Sequence, residues 1–120
     1  MTVYWKDTDF RGIIGNTGIE YDQTKEEANQ KKHGYLLKLA EKLINRWIFP
    51  TPSPLFITSI PIEKNGEIRH NHMTLDYEKK LVFIVTTMRT GEKVRIISLR
   101  RASDAEEKIY HAEAIKIIAQ

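Results

Sequence analysis

The run VRIISLRRASDAEEKIYH, Val94 to His111, ends an apolar stretch in two adjacent arginines and follows them with a serine three residues ahead of a glutamate. Arg100 and Arg101 would stand beside the free backbone donors and positive dipole end of a helix opening at Ser103. That is a favourable place for a phosphate oxygen. Asp104, Glu106 and Glu107 come next in the chain, so pairing of the arginines with these acids is the competing reading.

A second set of residues follows from strand pairing. With Leu75 opposite Leu81 across a five-residue loop, Arg69 falls opposite Thr87 and Glu67 opposite Arg89. Arginines flanked by a carboxylate suit phosphodiester chemistry, because guanidinium groups stabilise a pentavalent anion while a base takes a proton. A cross-strand ion pair is the plainer alternative. Strand register selects the partners: an even turn at Thr90-Gly91 places Arg89 and Arg100 on one face, and an odd loop brings Arg95 there instead. On the same scheme Arg100 pairs near Leu81, which makes Lys79 and Lys80 its neighbours.

His70 and His72 alternate on one side of a strand, a spacing able to chelate a metal. No third ligand stands at a suggestive spacing, and they read as surface histidines. His33, just before Gly34, caps a helix C-terminus, and His111 reads as an exposed helix residue; either could carry a proton near neutral pH. The chain has no cysteine, no G-x-S-x-G elbow and no P-loop, which removes thiolate, serine-hydrolase and NTPase chemistry.

These residues need elements to position them. Asp22 is an N-cap, good helix formers follow, and Gly34 ends the first helix, whose small contact face centres on Ala28. Leu36, Leu39, Ala40, Leu43 and Trp47 form a broad apolar stripe on a second helix, stopped by the prolines from Pro50 to Pro54. Four strands are expected at Leu55 to Ile62, Glu67 to Leu75, Leu81 to Arg89 and Lys93 to Arg100. Their short loops imply an antiparallel meander. Ser103 and Glu106 form a capping box for a last helix with Ala105, Ile109, Ala112 and Ile115 on one side. The fold class is α+β: two N-terminal helices, a four-stranded meander and a C-terminal helix. The helices cover one sheet face and the other is the working surface. Residues 1–18 are expected to be an N-terminal arm, with a short strand near Val3 to Trp5, and residues 19–120 a single domain.

At 120 residues with a formal net charge of +3, the chain has the size of one domain and a mild bias toward a polyanionic partner. No window is apolar enough for a membrane span and no leader pattern opens the chain, so a cytoplasmic protein is expected.

IEYDQTKEEANQKKHG resembles the N-terminal pattern of the BrnT toxin family, an aromatic-Asp-x-x-Lys opening followed by Asn-x-x-Lys-His-Gly. VRIISLRRASDAEEKIY resembles its closing Ile-Ile-Ser-x-Arg-x-Ala-Ser/Thr, then Glu and Tyr. The aromatic-rich start of the second helix usual in that family is replaced here by YLLKLAEKLINRW. The resemblance implies a RelE-like α+β fold and a metal-independent endoribonuclease of a bacterial type II toxin–antitoxin pair. It also implies a BrnA-like DNA-binding antitoxin as partner and no cofactor. In that light Arg100 and Arg89 would stabilise the phosphorane formed when the RNA 2′-hydroxyl attacks. Arg69 would join them, and Glu67 or Tyr110 would assist proton transfer. Arg95, Arg101, Lys79 and Lys80 would bind the RNA. The alternative is a binding module of the same fold without catalysis.

Overall fold

The computed structural model describes residues 5–6, 19–48, 54–59, 62–88 and 93–118. In chain order the elements are β1 (Trp5–Lys6), β2 (Ile19–Tyr21), α1 (Gln23–His33), α2 (Leu37–Ile48), β3 (Ile57–Ser59), β4 (Ile62–Lys64), β5 (Glu67–Leu75), β6 (Leu81–Met88), β7 (Val94–Arg101) and α3 (Asp104–Ile118).

The helix boundaries follow from local chemistry. Asp22 accepts hydrogen bonds from the Thr24 and Lys25 amides at 2.8 and 3.2 Å and so caps α1. Gly34, at φ 78°, closes the helix in a left-handed conformation that a side chain would strain. At α3 the capping box forms in both directions: the Ser103 amide donates to Glu106 at 2.8 Å, and the Glu106 amide donates to the Ser103 hydroxyl at 3.2 Å. Asn65 and Gly66, both with positive φ, make the two-residue turn between β4 and β5. Buried Asp76 organises the next hairpin, accepting from the Glu78 and Lys80 amides, while Lys79 takes the left-handed position.

The sheet corrects the expected four-stranded meander. The strands run in the order β1-β3-β5-β6-β7-β2, with β4 also paired to β5, and β2 lies parallel to β7 in an otherwise antiparallel sheet. Ile19–Tyr21, whose pattern is too short to show a period, pairs residue for residue with Val94–Ile96. The single strand expected from Leu55 to Ile62 is two strands. β3 pairs Ile57 with Met73, β4 pairs Ile62 with Arg69, and the register advances by one residue between them.

The helices do not share one face. Leu37, Ala40, Leu43, Ile44 and Trp47 of α2 pack with Phe56 against Val82, Ile84, Val94, Ile96 and Leu99, and Trp47 stacks on Phe56 at 4.3 Å. On the opposite face Tyr110 of α3 packs with Ile57, Met73, Leu81 and Phe83. The stripe expected to face inward, Ala105, Ile109, Ala112 and Ile115, points to solvent. α1 is fixed by Asn29 rather than Ala28. Its buried amide donates to the Leu99 and Tyr35 carbonyls at 2.8 and 2.9 Å and accepts from the Leu99 amide at 3.1 Å. The side chain thus acts as one residue of a neighbouring strand for the outer edge of β7, past the point where β2 stops pairing. Among the described residues no helix is long and apolar enough to cross a membrane.

Candidate active site

Directly paired residues of an antiparallel sheet project to the same side, so the ladder assigns each arginine to a face. Arg69 lies opposite Thr87, as the loop length predicts, and Thr87 lies opposite Arg95. Arg95 in turn pairs with Glu20 of β2, and their side chains meet at 3.3 Å. One row across the sheet therefore carries Arg69, Thr87, Arg95 and Glu20. Glu67, two residues before Arg69 on β5, is on the same side and half-buried. Arg89 and the Thr90-Gly91 turn lie outside the described residues.

The register question receives an answer that a regular strand could not give. Val85 pairs with Ser98 but Thr86 pairs with Ile96, leaving Ile97 as the extra residue of a β-bulge. In an unbroken strand, residues five apart face opposite ways. The bulge restores them to one side, so Arg95 and Arg100 share the face on which α3 packs.

Arg100 pairs with Phe83, two positions from the Leu81 expected, and its guanidinium lies 4.2 Å from the centre of the Phe83 ring. Both terminal nitrogens donate to Glu106 at 2.8 Å, and one also donates to the Arg101 carbonyl at 3.1 Å. The bonds to Glu106 reinforce the protonated guanidinium. Burial raises the Glu106 carboxyl, but the hydrogen bonds from Arg100 and Ser103 outweigh it and hold the group below its ordinary value. The pairing of Arg100 with a helix acid is therefore real. Because Arg100 keeps about a third of its side-chain surface, at 34%, the arginine remains reachable from solvent.

The other expected residues are distributed more widely. Arg101 pairs with Val82 and is exposed on the side of α1 and α2, away from Arg100. Lys79 and Lys80 are exposed in the β5–β6 turn, with Lys80 3.4 Å from Glu78. The Ala102 amide, not Arg100, reaches the adjoining Leu81 carbonyl, at 3.0 Å. Tyr110 is buried, donates its hydroxyl to the Leu55 carbonyl at 2.7 Å, and has its pKa pushed up to about 12 by burial, against an opposing effect of Arg46. The row Asn71, Val85 and Ser98 joins the two arginine rows as a half-buried strip. Thr87 lies four residue steps along β6 from Phe83, a span of about 13 Å.

The histidines depart from their expected place. His72 is fully buried, with Nδ1 2.9 Å from the Thr58 hydroxyl and Nε2 2.8 Å from the Thr86 hydroxyl, which leaves neither ring nitrogen open to a metal. Burial, with His70 adding to it, holds His72 well below the ordinary histidine pKa, so the ring is neutral. His70 is also buried rather than on the surface.

Asn29 and Glu106 are the residues whose importance composition does not announce. Asn29 was detectable as the asparagine of the Asn-x-x-Lys-His-Gly motif; Glu106 as the acid of the capping box.

The chain is an α+β domain with arginines arrayed on one sheet face, partly covered by a capped helix. A family model described as the ribonuclease toxin BrnT of type II toxin–antitoxin systems matches residues 21–106, and the chain belongs to that family. A search of the curated proteins found no match. Membership in the family brings an RNA target and an antitoxin partner. Glu67, Arg69, Arg89, Arg95 and Arg100 fall within the matched span, and Tyr110 falls beyond it.

Proposed function

We propose that the sheet face beneath α3 is the RNA-cleaving surface of an endoribonuclease toxin that halts translation without a metal. The observation carrying this reading is the bulge at Ile97, which sets Arg95 and Arg100 on the same face as Arg69. Three guanidinium groups then line one path for a phosphodiester backbone, and their charge supplies the stabilisation of a phosphorane. Glu67, beside Arg69, is the general base for the 2′-hydroxyl in this scheme, since arginine stays protonated. Arg89 would share the stabilisation of the phosphorane, and Arg101, Lys79 and Lys80 would bind RNA beyond the catalytic row. Tyr110 acts through position: its hydroxyl anchors α3 on Leu55, and α3 carries the Glu106 that aims Arg100. The partner is a BrnA-like DNA-binding antitoxin, and residues 19–120 form the toxin domain in the cytoplasm.

Purified protein and ribosome-free RNA, with chelator present, should yield fragments ending in cyclic or 2′/3′-phosphate. Arg69→Ala and Arg100→Ala should each lower the rate at least a hundredfold. Absence of cleavage by the wild type, or full cleavage by Arg100→Ala, would overturn the proposal. The second reading, a binding module without catalysis, draws on the engagement of Arg100 by Glu106. It predicts that expression without antitoxin leaves growth unaffected.

A further inference from the structure

α1 presents Lys25, Ala28, Asn29, Lys32 and His33 along one side, the spacing of a single helical face. That side meets β7 at Ile97 and Ser98, and the seven residues line a pocket of about 220 Å3. Three features set its chemistry. First, it is cationic: two exposed lysines and one half-buried histidine line it, and no carboxylate does. Second, it is held open by the fold. β2 stops pairing with β7 at Ile96, Asn29 takes over at Leu99, and the bulged Ile97 and Ser98 lie between them. Third, it adjoins the arginine face. Ser98 belongs both to the pocket wall and to the strip Asn71, Val85, Ser98 between the two arginine rows.

The charge environment agrees with this placement. Burial, then the charges of Lys32 and Arg100, lower the His33 pKa, so Arg100 is near enough for its field to act on the imidazole. Lys31, Lys32 and His33 crowd the last turn of α1, where the helix dipole is negative. Lys25 brings a further positive charge from the first half of the helix. These basic groups complement the negative end of the helix dipole, and a nucleic-acid strand crossing Ser98 from the arginine face would bring a phosphate within reach of the exposed Lys25 and Lys32.

We propose that this pocket is a nucleotide subsite, receiving the phosphate and ribose of an RNA residue next to the one cleaved, with Lys25 and Lys32 on the phosphate and His33 and Ser98 on the sugar. The inference rests on the reading of the sheet face as the RNA-cleaving surface, and it adds a second track for the strand around the edge of β7.

The test uses the full chain and a hexanucleotide RNA with 2′-O-methyl riboses, which lacks the attacking hydroxyl and so reports binding alone. Fluorescence anisotropy across a salt series gives the slope of log affinity on log salt concentration. Lys25→Gln/Lys32→Gln should weaken binding roughly tenfold and lower the slope by about 0.7, the single phosphate contact that the two lysines share. Lys108→Gln/Lys116→Gln, an equal charge change on α3, should leave both within twofold of wild type. Melting temperatures close to wild type are expected for both pairs, since all four lysines are exposed. Equal weakening by the two pairs would mean diffuse attraction and would overturn the subsite. Unchanged binding by the Lys25/Lys32 pair would do the same while leaving the cleavage reading intact, provided the wild type cuts unmodified RNA. A wild type that neither cuts nor binds RNA would overturn both.

Discussion

Asn29→Ala tests the joint on which the arginine face depends. The side chain makes three hydrogen bonds in a buried setting, two of them to the same residue of β7. Truncation leaves the amide and carbonyl of fully buried Leu99 and the carbonyl of Tyr35 without these partners. At ~1 kcal/mol for each bond, rising to 1–3 where the stranded group stays dry, the loss should be about 3–5 kcal/mol. That is a large part of the ~5–15 kcal/mol by which a domain is stable. In urea the midpoint should fall by about 2 M, with little change in the slope. Asn29→Asp sharpens the test. Its carboxylate can still accept from the Leu99 amide but sets a charge against two carbonyl oxygens. Its pKa in the fold must therefore rise above the unfolded value of ~3.9. A raised pKa means stability present at low pH and lost as pH rises through the folded value. The Asp variant should be least stable near neutrality and recover as pH falls toward 4. A midpoint for Asn29→Ala within 0.3 M of wild type, or an Asp deficit independent of pH, would refute the account of Asn29 as a substitute strand.

Further outcomes follow from the same geometry. Glu106→Gln should cost about 1 kcal/mol at pH 7, discounted for solvent screening at Arg100. Because the Glu106 pKa is depressed, its contribution is present above the unfolded ~4.3 and lost as pH falls through the folded value, so wild type and variant should converge in acid. His70 and His72 are both held low by burial, His72 far more. Depressed histidines stabilise the fold above ~6.5 and lose that contribution as pH falls. Urea midpoints at pH 7, 6 and 5 should decline in the wild type and decline less in His72→Gln. Tyr110→Phe removes the bond to Leu55 and should lower Tm by roughly 4 °C, about 1 kcal/mol, with cleavage well above that of Arg100→Ala. Loss of cleavage at unchanged Tm would return the hydroxyl to the chemistry.

What was legible in the sequence was local. The Asp22 cap, the Gly34 stop, the Ser103–Glu106 box and the whole of β5 are set by side chains acting on backbone a few residues away. So was the pairing of Arg69 with Thr87, because it depends only on the length of one hairpin loop. Parallel pairing of β2 with β7 was not legible, since three residues give no period and the partner lies more than seventy positions on. The orientation of α3 failed for another reason. Its Ala105, Ile109, Ala112 and Ile115 stripe competed with Tyr110, whose ring packs on Phe83, Met73 and Leu81 while its hydroxyl bonds the Leu55 carbonyl, and the stripe is left facing solvent. The charge on Glu106 did not oppose that choice, because Arg100 meets it there.

The bulge at Ile97 shows most clearly why site prediction ran out before fold prediction did. Reading the strand as regular made Arg95 and Arg100 alternatives, and every neighbour inferred for either inherited that choice. One unpaired residue removes the conflict, yet nothing in VRIISLRR marks it: the sequence has no glycine or proline there, and Ile97 is as good a strand residue as Ile96. The cause is nonlocal. β7 must pair Val94–Ile96 with β2 on one side while offering Leu99 to Asn29 of α1, and β2 runs directly into that helix. Two attachments on one edge, one made by a strand and one by a helix side chain, fix the two halves of β7 separately. The extra residue falls between them, where Ser98 joins the arginine face to the cationic pocket.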